Sequence, residues 1–285
     1  MIDAGVFALF GYIGTPTCLA ALPMVKAENI PFIAPFTGAM GLRDPANKSV
    51  FHLRASYNDE TALIVKQLTY LGQKKIAVFY QNDAYGQAGL DGVKKALDAQ
   101  DLKPVALATV DRNSVDVAGA VKTLMASNPD AIVQISAYKS SAAFVRASRQ
   151  SGYRGTYYNV SFVGTQALST ELGKDAAGVM VSQVVPSPFD TARPITREYR
   201  EAVRAAGGDA QINYSSMEGY LAAKVMTDGL RRAGANATRD TLVRGIESIG
   251  SQSLGGFALN FSAASHVGSK FVELSMLTGD GRVMT

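Results

Sequence analysis

The sequence is short of the residues that most site chemistry uses. It has one cysteine, Cys18, so no intrachain disulfide can form and cysteine usage identifies no redox compartment. Only two histidines, His52 and His266, accompany it, which argues against any metal site built on His and Cys ligands. No apolar run reaches membrane-spanning length, so no direct membrane insertion is expected. The amino end lacks the basic, apolar, small-residue order of a secretory signal. Charge is not concentrated either. The formal net charge is +4, and the tightest basic clusters are the pairs Lys74-Lys75, Lys94-Lys95 and Arg231-Arg232. Pairs without a stripe argue against nucleic acid and anionic membrane surfaces as partners.

What remains is ordinary globular composition. With 47% hydrophobic and 18% charged residues, 27 glycines and 10 prolines, the chain is neither disordered nor collagen-like. Its 285 residues suggest about two domains at roughly 150 residues each. That length buries a substantial core without covalent staples.

Short apolar runs alternate with amphipathic stretches throughout. The pattern predicts strands at 6–10, 31–35, 76–80, 105–110, 131–135, 157–160, 179–185, 257–261 and 271–277. It predicts helices at 17–29, 60–71, 86–100, 115–127, 140–151, 165–172, 195–206, 216–233 and 239–249. Strands and helices at this spacing mean βαβ units with parallel sheets covered on both faces, an α/β fold. Ligands in such sheets bind beyond the carboxyl ends of the strands. The loops there are 11–17, 36–38, 81–85, 136–138 and 161–162. They carry small, hydroxyl, amide and aromatic groups, with Asp83 as the one carboxylate and no histidine. Such a set can hold a small molecule but is poorly equipped to break one, so neither an enzyme nor a cofactor is expected.

Individual motifs each have two readings. Gly11-Tyr-Ile-Gly-Thr-Pro-Thr17 follows a strand and opens a helix, where unpaired N–H groups attract an anion such as a carboxylate. Thr15 or Thr17 would cap that helix, with Pro16 in its first turn, and capping alone also accounts for the motif. Tyr220-Leu-Ala-Ala-Lys224 has the YxxxK spacing of short-chain dehydrogenases, but no glycine-rich dinucleotide motif follows the first strand. Tyr220 is instead expected on the apolar face of its helix. Cys18 reads as a small buried apolar residue. Glu218 is the acidic group to watch, either as a binding carboxylate or as a solvated helix residue.

Several segments together resemble the type 1 periplasmic binding proteins that serve ABC transporters, in the branch of the leucine/isoleucine/valine-binding protein. They are Gly11–Thr17 with Ala20-Ala-Leu-Pro23, Ile30-Pro-Phe-Ile-Ala-Pro35, Phe51-His-Leu-Arg-Ala-Ser56, Lys74-Lys-Ile-Ala-Val-Phe-Tyr80 and Asp83-Ala-Tyr-Gly86. Asn128-Pro-Asp-Ala-Ile-Val133, Asp175-Ala-Ala-Gly-Val179 and Gly255-Gly-Phe257 with Phe261 also fit. The resemblance implies two doubly wound Rossmann-like lobes joined by a hinge and closing over a ligand. Lobe one would comprise 1–56 with 186–257, and lobe two 57–185 with 258–285. It further implies a periplasmic solute-binding protein for amino acid or related transport, with an ABC permease as partner. The same fold also serves as the ligand-sensing domain of signalling receptors, which remains an alternative.

The resemblance implies ligand contacts as well. Thr15 and Pro16 align with a loop whose serine hydroxyl holds the amino-acid carboxylate. Phe36, Thr37 and Gly38 align with a stretch that does likewise, glycine at 38 removing a threonine hydroxyl. Tyr85 matches a pocket tyrosine of lobe two, and Ala137 or Tyr138 lies where another lines the pocket. Ser161 falls where the amino-acid binders place the glutamate that pairs with the ligand's ammonium. Because a buried ammonium without an anion costs several kcal/mol, either Glu218 or Asp83 replaces that glutamate or the ligand has no ammonium. The second alternative implies an aromatic or aliphatic organic acid. Finally, family members begin with a strand, helix, strand and helix ahead of the counterpart of Gly11. Lobe one is therefore expected to be incomplete, with an open sheet edge that leaves it unstable or prone to associate.

Overall fold

The computed structural model describes residues 5–208 and 210–285. In chain order its elements are β1 (Leu9–Phe10), α1 (Thr15–Ala27), β2 (Phe32–Ile33), β3 (Val50–Phe51), α2 (Tyr57–Tyr70), β4 (Ile76–Gln81), α3 (Ala84–Asp98), β5 (Ala106–Val110), α4 (Ala118–Ala126), β6 (Ala131–Ile135), α5 (Tyr138–Gln150), β7 (Thr156–Asn159), α6 (Thr165–Leu172), β8 (Val179–Gln183), α7 (Pro194–Ala206), α8 (Tyr214–Ala233), α9 (Arg239–Glu247), β9 (Gly250–Leu254), β10 (Phe257–Phe261), β11 (Glu273–Leu277) and β12 (Val283–Met284). The α/β class expected from the alternation is what forms. Two compact units divide the chain: Met1–Ser56 with Val184–Phe271, and Tyr57–Gln183 with Val272–Thr285.

The second unit is built on one sheet of order β12-β11-β8-β7-β6-β4-β5. Strands β5, β4, β6, β7 and β8 run parallel, and β11 and β12 close one side antiparallel. The inner strand β6, Ala-Ile-Val-Gln-Ile, is buried at every position, as a parallel strand covered on both faces must be. Phe79 of β4 stacks on Phe144 of α5 at 4.3 Å, joining sheet to helix layer. Each fully buried aliphatic or aromatic side chain there contributes about 1.5–3 kcal/mol.

The first unit holds a three-stranded parallel sheet, β1-β2-β3, whose strands are two residues each. The expected strand at 6–10 shrinks to Leu9–Phe10, bonded to β2 through Leu9 N to Pro31 O and Gly11 N to Ile33 O. Cys18, Leu22, Val25, Ile30, Phe32, Leu42 and Val50 form the core beneath this sheet. Burial pushes the Cys18 thiol up to about 12, as expected of a small buried residue and not of a nucleophile.

Two boundaries depart from expectation. The chain leaves the second unit after Gln183, not after 185, and residues 258–271 belong to the first unit. The reason is the hairpin β9–β10, in which Phe257 pairs with Leu254 and Phe261 with Gly250. Its turn, Gly255-Gly256, has φ of +54° and +99°, a left-handed geometry that glycine adopts freely. The hairpin is antiparallel, so it is no part of a βαβ unit, and Phe261 packs edge-on to Phe51 within the first unit.

Candidate functional site

The loops at the carboxyl ends of the strands carry two groups of expected site residues, one in each unit. In the first unit, α1 begins at Thr15 with Gly14 as its N-cap and no side-chain cap. This corrects the expectation that Thr15 or Thr17 caps the helix. Thr17 Oγ1 instead donates back to Gly14 O at 2.8 Å. Thr15 Oγ1 turns inward and meets Thr37 Oγ1 at 2.6 Å, both residues being buried. Ala39 N also donates to Thr37 Oγ1, at 3.2 Å. Thr37 thus places a buried hydroxyl one position before Gly38. Pro16 occupies the first turn of α1, half-buried beside the pair.

Phe36 is held by the backbone, its N–H donating to Tyr12 O at 2.8 Å. Its ring lies 4.5 Å from the guanidinium carbon of Arg54, a cation–π contact. Arg54, 1% exposed, forms an ion pair with Glu218 of α8, Nε to Oε1 at 3.3 Å. A second arginine, Arg43, ties the segment together, its Nη2 donating to the carbonyls of Arg54 (3.0 Å) and Ala55 (3.2 Å). Beside Phe36 and Glu218 lies a mainly apolar pocket of about 310 Å³, with Phe10, Ile13, Ala34 and Ala222 in its walls. The structure therefore brings Thr15 to Thr37, and Phe36 to Glu218 through Arg54. It also ties Glu218 to a protein cation.

In the second unit, Asp83 N-caps α3. Its Oδ1 accepts from Tyr85 N (2.9 Å) and Gly86 N (3.2 Å), and its Oδ2 from Gln81 Nε2 (2.6 Å) and Arg112 Nε (3.1 Å). Residue 86 must be glycine, because a Cβ there would lie 1.8 Å from Gln81 O. That close approach holds Tyr85 against the end of β4. The buried Tyr85 ring packs on Tyr57 at 5.6 Å and on Phe162 at 4.6 Å, forming an aromatic wall. Ala137 is the N-cap residue of α5 and Tyr138 its first residue, half-buried against the core with Lys139 over its ring at 6.0 Å.

Ser161 opens a 3₁₀ turn after β7. Its backbone N–H donates to Glu60 Oε2 at 2.7 Å and its hydroxyl to Glu60 Oε1 at 3.1 Å. Ser182 Oγ of β8 adds a third donor to Glu60 Oε2 at 2.5 Å. Glu60 is fully buried in the first turn of α2. A carboxylate therefore does stand beside position 161, contributed by a helix 101 residues earlier in the chain. Sequence reading missed it because an acidic residue in a first helical turn is ordinary. A signal was available: Glu60 falls on the stripe formed by Thr61, Ile64, Val65 and Leu68, all buried.

The YxxxK pair lies elsewhere. Tyr220 is only half-buried, contrary to the core role expected of it, and its hydroxyl donates to Glu198 at 2.7 Å beside Lys224. Burial and the Glu198 bond push the Tyr220 phenol up, the reverse of the activation that spacing serves in dehydrogenases. Among the described residues no cluster of three His, Cys, Asp or Glu side chains could hold a metal ion. No described helix is long and apolar enough to cross a membrane.

Comparison with known proteins agrees with this geometry. The periplasmic binding protein family model matches residues 1–279. A possible leucine/isoleucine/valine-binding protein from Rhodopirellula baltica SH 1 superposes with a TM-score of 0.93 at 30% identity, over 99% of this chain and 78% of that one. A substrate-binding periplasmic protein from Ralstonia solanacearum gives 0.90 at 30% identity, over 99% and 80%. A fatty acid ABC transporter substrate-binding protein from Thermomonospora curvata shares the fold, with a TM-score of 0.83 at 20% identity over 96% and 73%. No curated protein matches the sequence.

Proposed function

We propose, for a chain that belongs to the type 1 periplasmic binding protein family, that it is the extracytoplasmic solute-binding component of an ABC importer. Its ligand is a small organic carboxylate with an aliphatic or aromatic body and no ammonium group. It delivers that ligand, chemically unchanged, to a permease partner. The names of the similar proteins run from branched-chain amino acids to fatty acids, and the carboxylate is what those ligands share.

One observation carries the choice among carboxylates. The three acidic side chains near the expected contacts are all engaged by protein donors: Glu218 by Arg54, Asp83 by the α3 amides, Gln81 and Arg112, and Glu60 by Ser161 and Ser182. An ammonium would have to displace one of these partners, at a penalty of several kcal/mol. A carboxylate meets a better reception. The Thr15–Thr37 hydroxyl pair has two O–H protons and uses one in its mutual bond, which leaves one to donate. The mainly apolar pocket beside Phe36 in the same unit offers surface for the ligand body.

Isothermal titration of the purified chain tests this reading. Simple aliphatic and aromatic acids are expected to bind, and leucine and valine are not. Tight leucine or valine binding, with none for the acids, would overturn it.

A further inference from the structure

The large sheet of the second unit ends at β5, and among the described residues no strand pairs with its outer edge. The opposite border is closed by β12, which is two residues long. An unpaired edge is a template for another strand, and sheets guard it with short strands, proline, bulges or charge. β5 carries none of these guards. It runs Ala106-Leu-Ala-Thr-Val110 without a charge, proline or glycine, and it pairs with β4 residue for residue.

The alternation along β5 defines what this edge offers. Ala106, Ala108 and Val110 pack on the core of the unit. Val110 O accepts from Asn82 N on the β4 side, so the even residues turn their backbone groups inward while Leu107 and Thr109 turn theirs outward. Lys103, Val105, Leu107, Thr109 and Asp111 are all exposed, with Val105 at 40% and Leu107 at 37%. The edge thus has an apolar middle between a cation and an anion.

We propose that β5 is the contact between two copies of this chain, paired antiparallel about a two-fold axis at Leu107. That register sets Leu107 against its own counterpart, Val105 against Thr109, and Lys103 against Asp111 at both ends. Moving the axis to Ala106 would oppose Asp111 to Asp101, and moving it to Ala108 would oppose Asp111 to Val105. Charge therefore fixes the register. An uncharged strand of another protein would leave both Lys103 and Asp111 unanswered. Leu107 exchanges two main-chain bonds with its counterpart, and the two sheets become one. Five strand residues a side fall short of the roughly 20–30 of a standard interface, so the association is weak and depends on concentration.

Sedimentation velocity of the full chain from about 5 to about 500 μM tests this, with a shift from monomer toward dimer expected across the range. Leu107→Lys sets two cations face to face at an exposed position, and should abolish the shift with little change in melting temperature. Lys103→Glu should weaken association about tenfold. Adding Asp111→Lys to it should restore the affinity to within about threefold, a rescue that a generally adhesive surface would not give. Cysteines read the register. Leu107→Cys should link copies on oxidation, because hydrogen-bonded antiparallel partners lie about 5.5 Å apart at Cα, within disulfide reach. Thr109→Cys should not, since its counterpart stands about 13 Å away along the strand. Cys18 is buried and stays out of both reactions. A chain that is monomeric at every concentration overturns the inference. So does a dimer that Leu107→Lys leaves intact, a charge swap that restores nothing, or linking through 109 in place of 107.

Discussion

Acid should weaken this protein through one histidine before its carboxylates begin to titrate. His52 is 2% exposed, and its Nε2 lies 3.1 Å from Leu42 O, so that nitrogen carries the proton of a neutral ring. Burial holds its pKa well below the usual 6.5, and the nearby Arg43 charge pushes in the same direction. In the unfolded chain the ring titrates near its ordinary value of about 6.5. Below that pH the unfolded state binds a proton that the folded state refuses. Stability therefore falls as pH drops below that value, by up to about 1.4 kcal/mol per pH unit. Urea unfolding followed by circular dichroism at pH 7.5, 6.5, 5.5 and 5.0 measures this. The His52→Gln variant should lose that slope whatever its absolute stability. Parallel stability curves for the two proteins, or an NMR signature of protonated His52 in the folded chain at pH 6, would refute the reasoning.

Four further outcomes follow from local geometry. Gly86→Ala should destabilise by about 3 kcal/mol or more, because the new Cβ meets a backbone carbonyl at 1.8 Å. Gly92→Ala, facing the rotatable Thr61 hydroxyl at 2.6 Å, should cost less than that, and thermal melts will rank the two. Cys18, with its thiol raised to about 12, should not react with a disulfide reagent at pH 8 until the chain is unfolded in urea. Thr37→Val removes the partner of Thr15 and should weaken acid binding about tenfold in titration calorimetry, with only a modest change in melting temperature.

Legibility in the sequence tracked the strength of local signals. Strand β6 and helix α6 fall where the apolar runs predict, since the turn at Asn128-Pro129 and the glycines 164 and 173 bound them sharply. The strands that escaped, β3, β9 and β12, are two residues long or, as Gly-Ser-Gln-Ser-Leu, carry no apolar alternation. Nothing local could announce β9, because its partner β10 defines it. The site divides in the same way. Tyr85 and Asp83 share one short motif and were readable together, whereas Glu60 and Ser161 meet across 101 residues. Arg54 stood in a quoted motif, but only the fold shows that it claims Glu218. The carboxylates suggested to replace the missing glutamate are those that turn out to be occupied.

The return of Val272–Thr285 to the second unit has a consequence for biosynthesis. Strand β11 registers along β8 from Glu273 opposite Gln183, and Leu277 enters the core laid down by residues 77–181. In a chain made amino end first, the whole of Val184–Phe271 separates the two segments that build the second unit. The second unit, begun earlier, must wait for Val272–Thr285 to emerge before its sheet gains β11 and β12. Arrival of β11, not synthesis of its first strands, sets the earliest moment at which that sheet can lock.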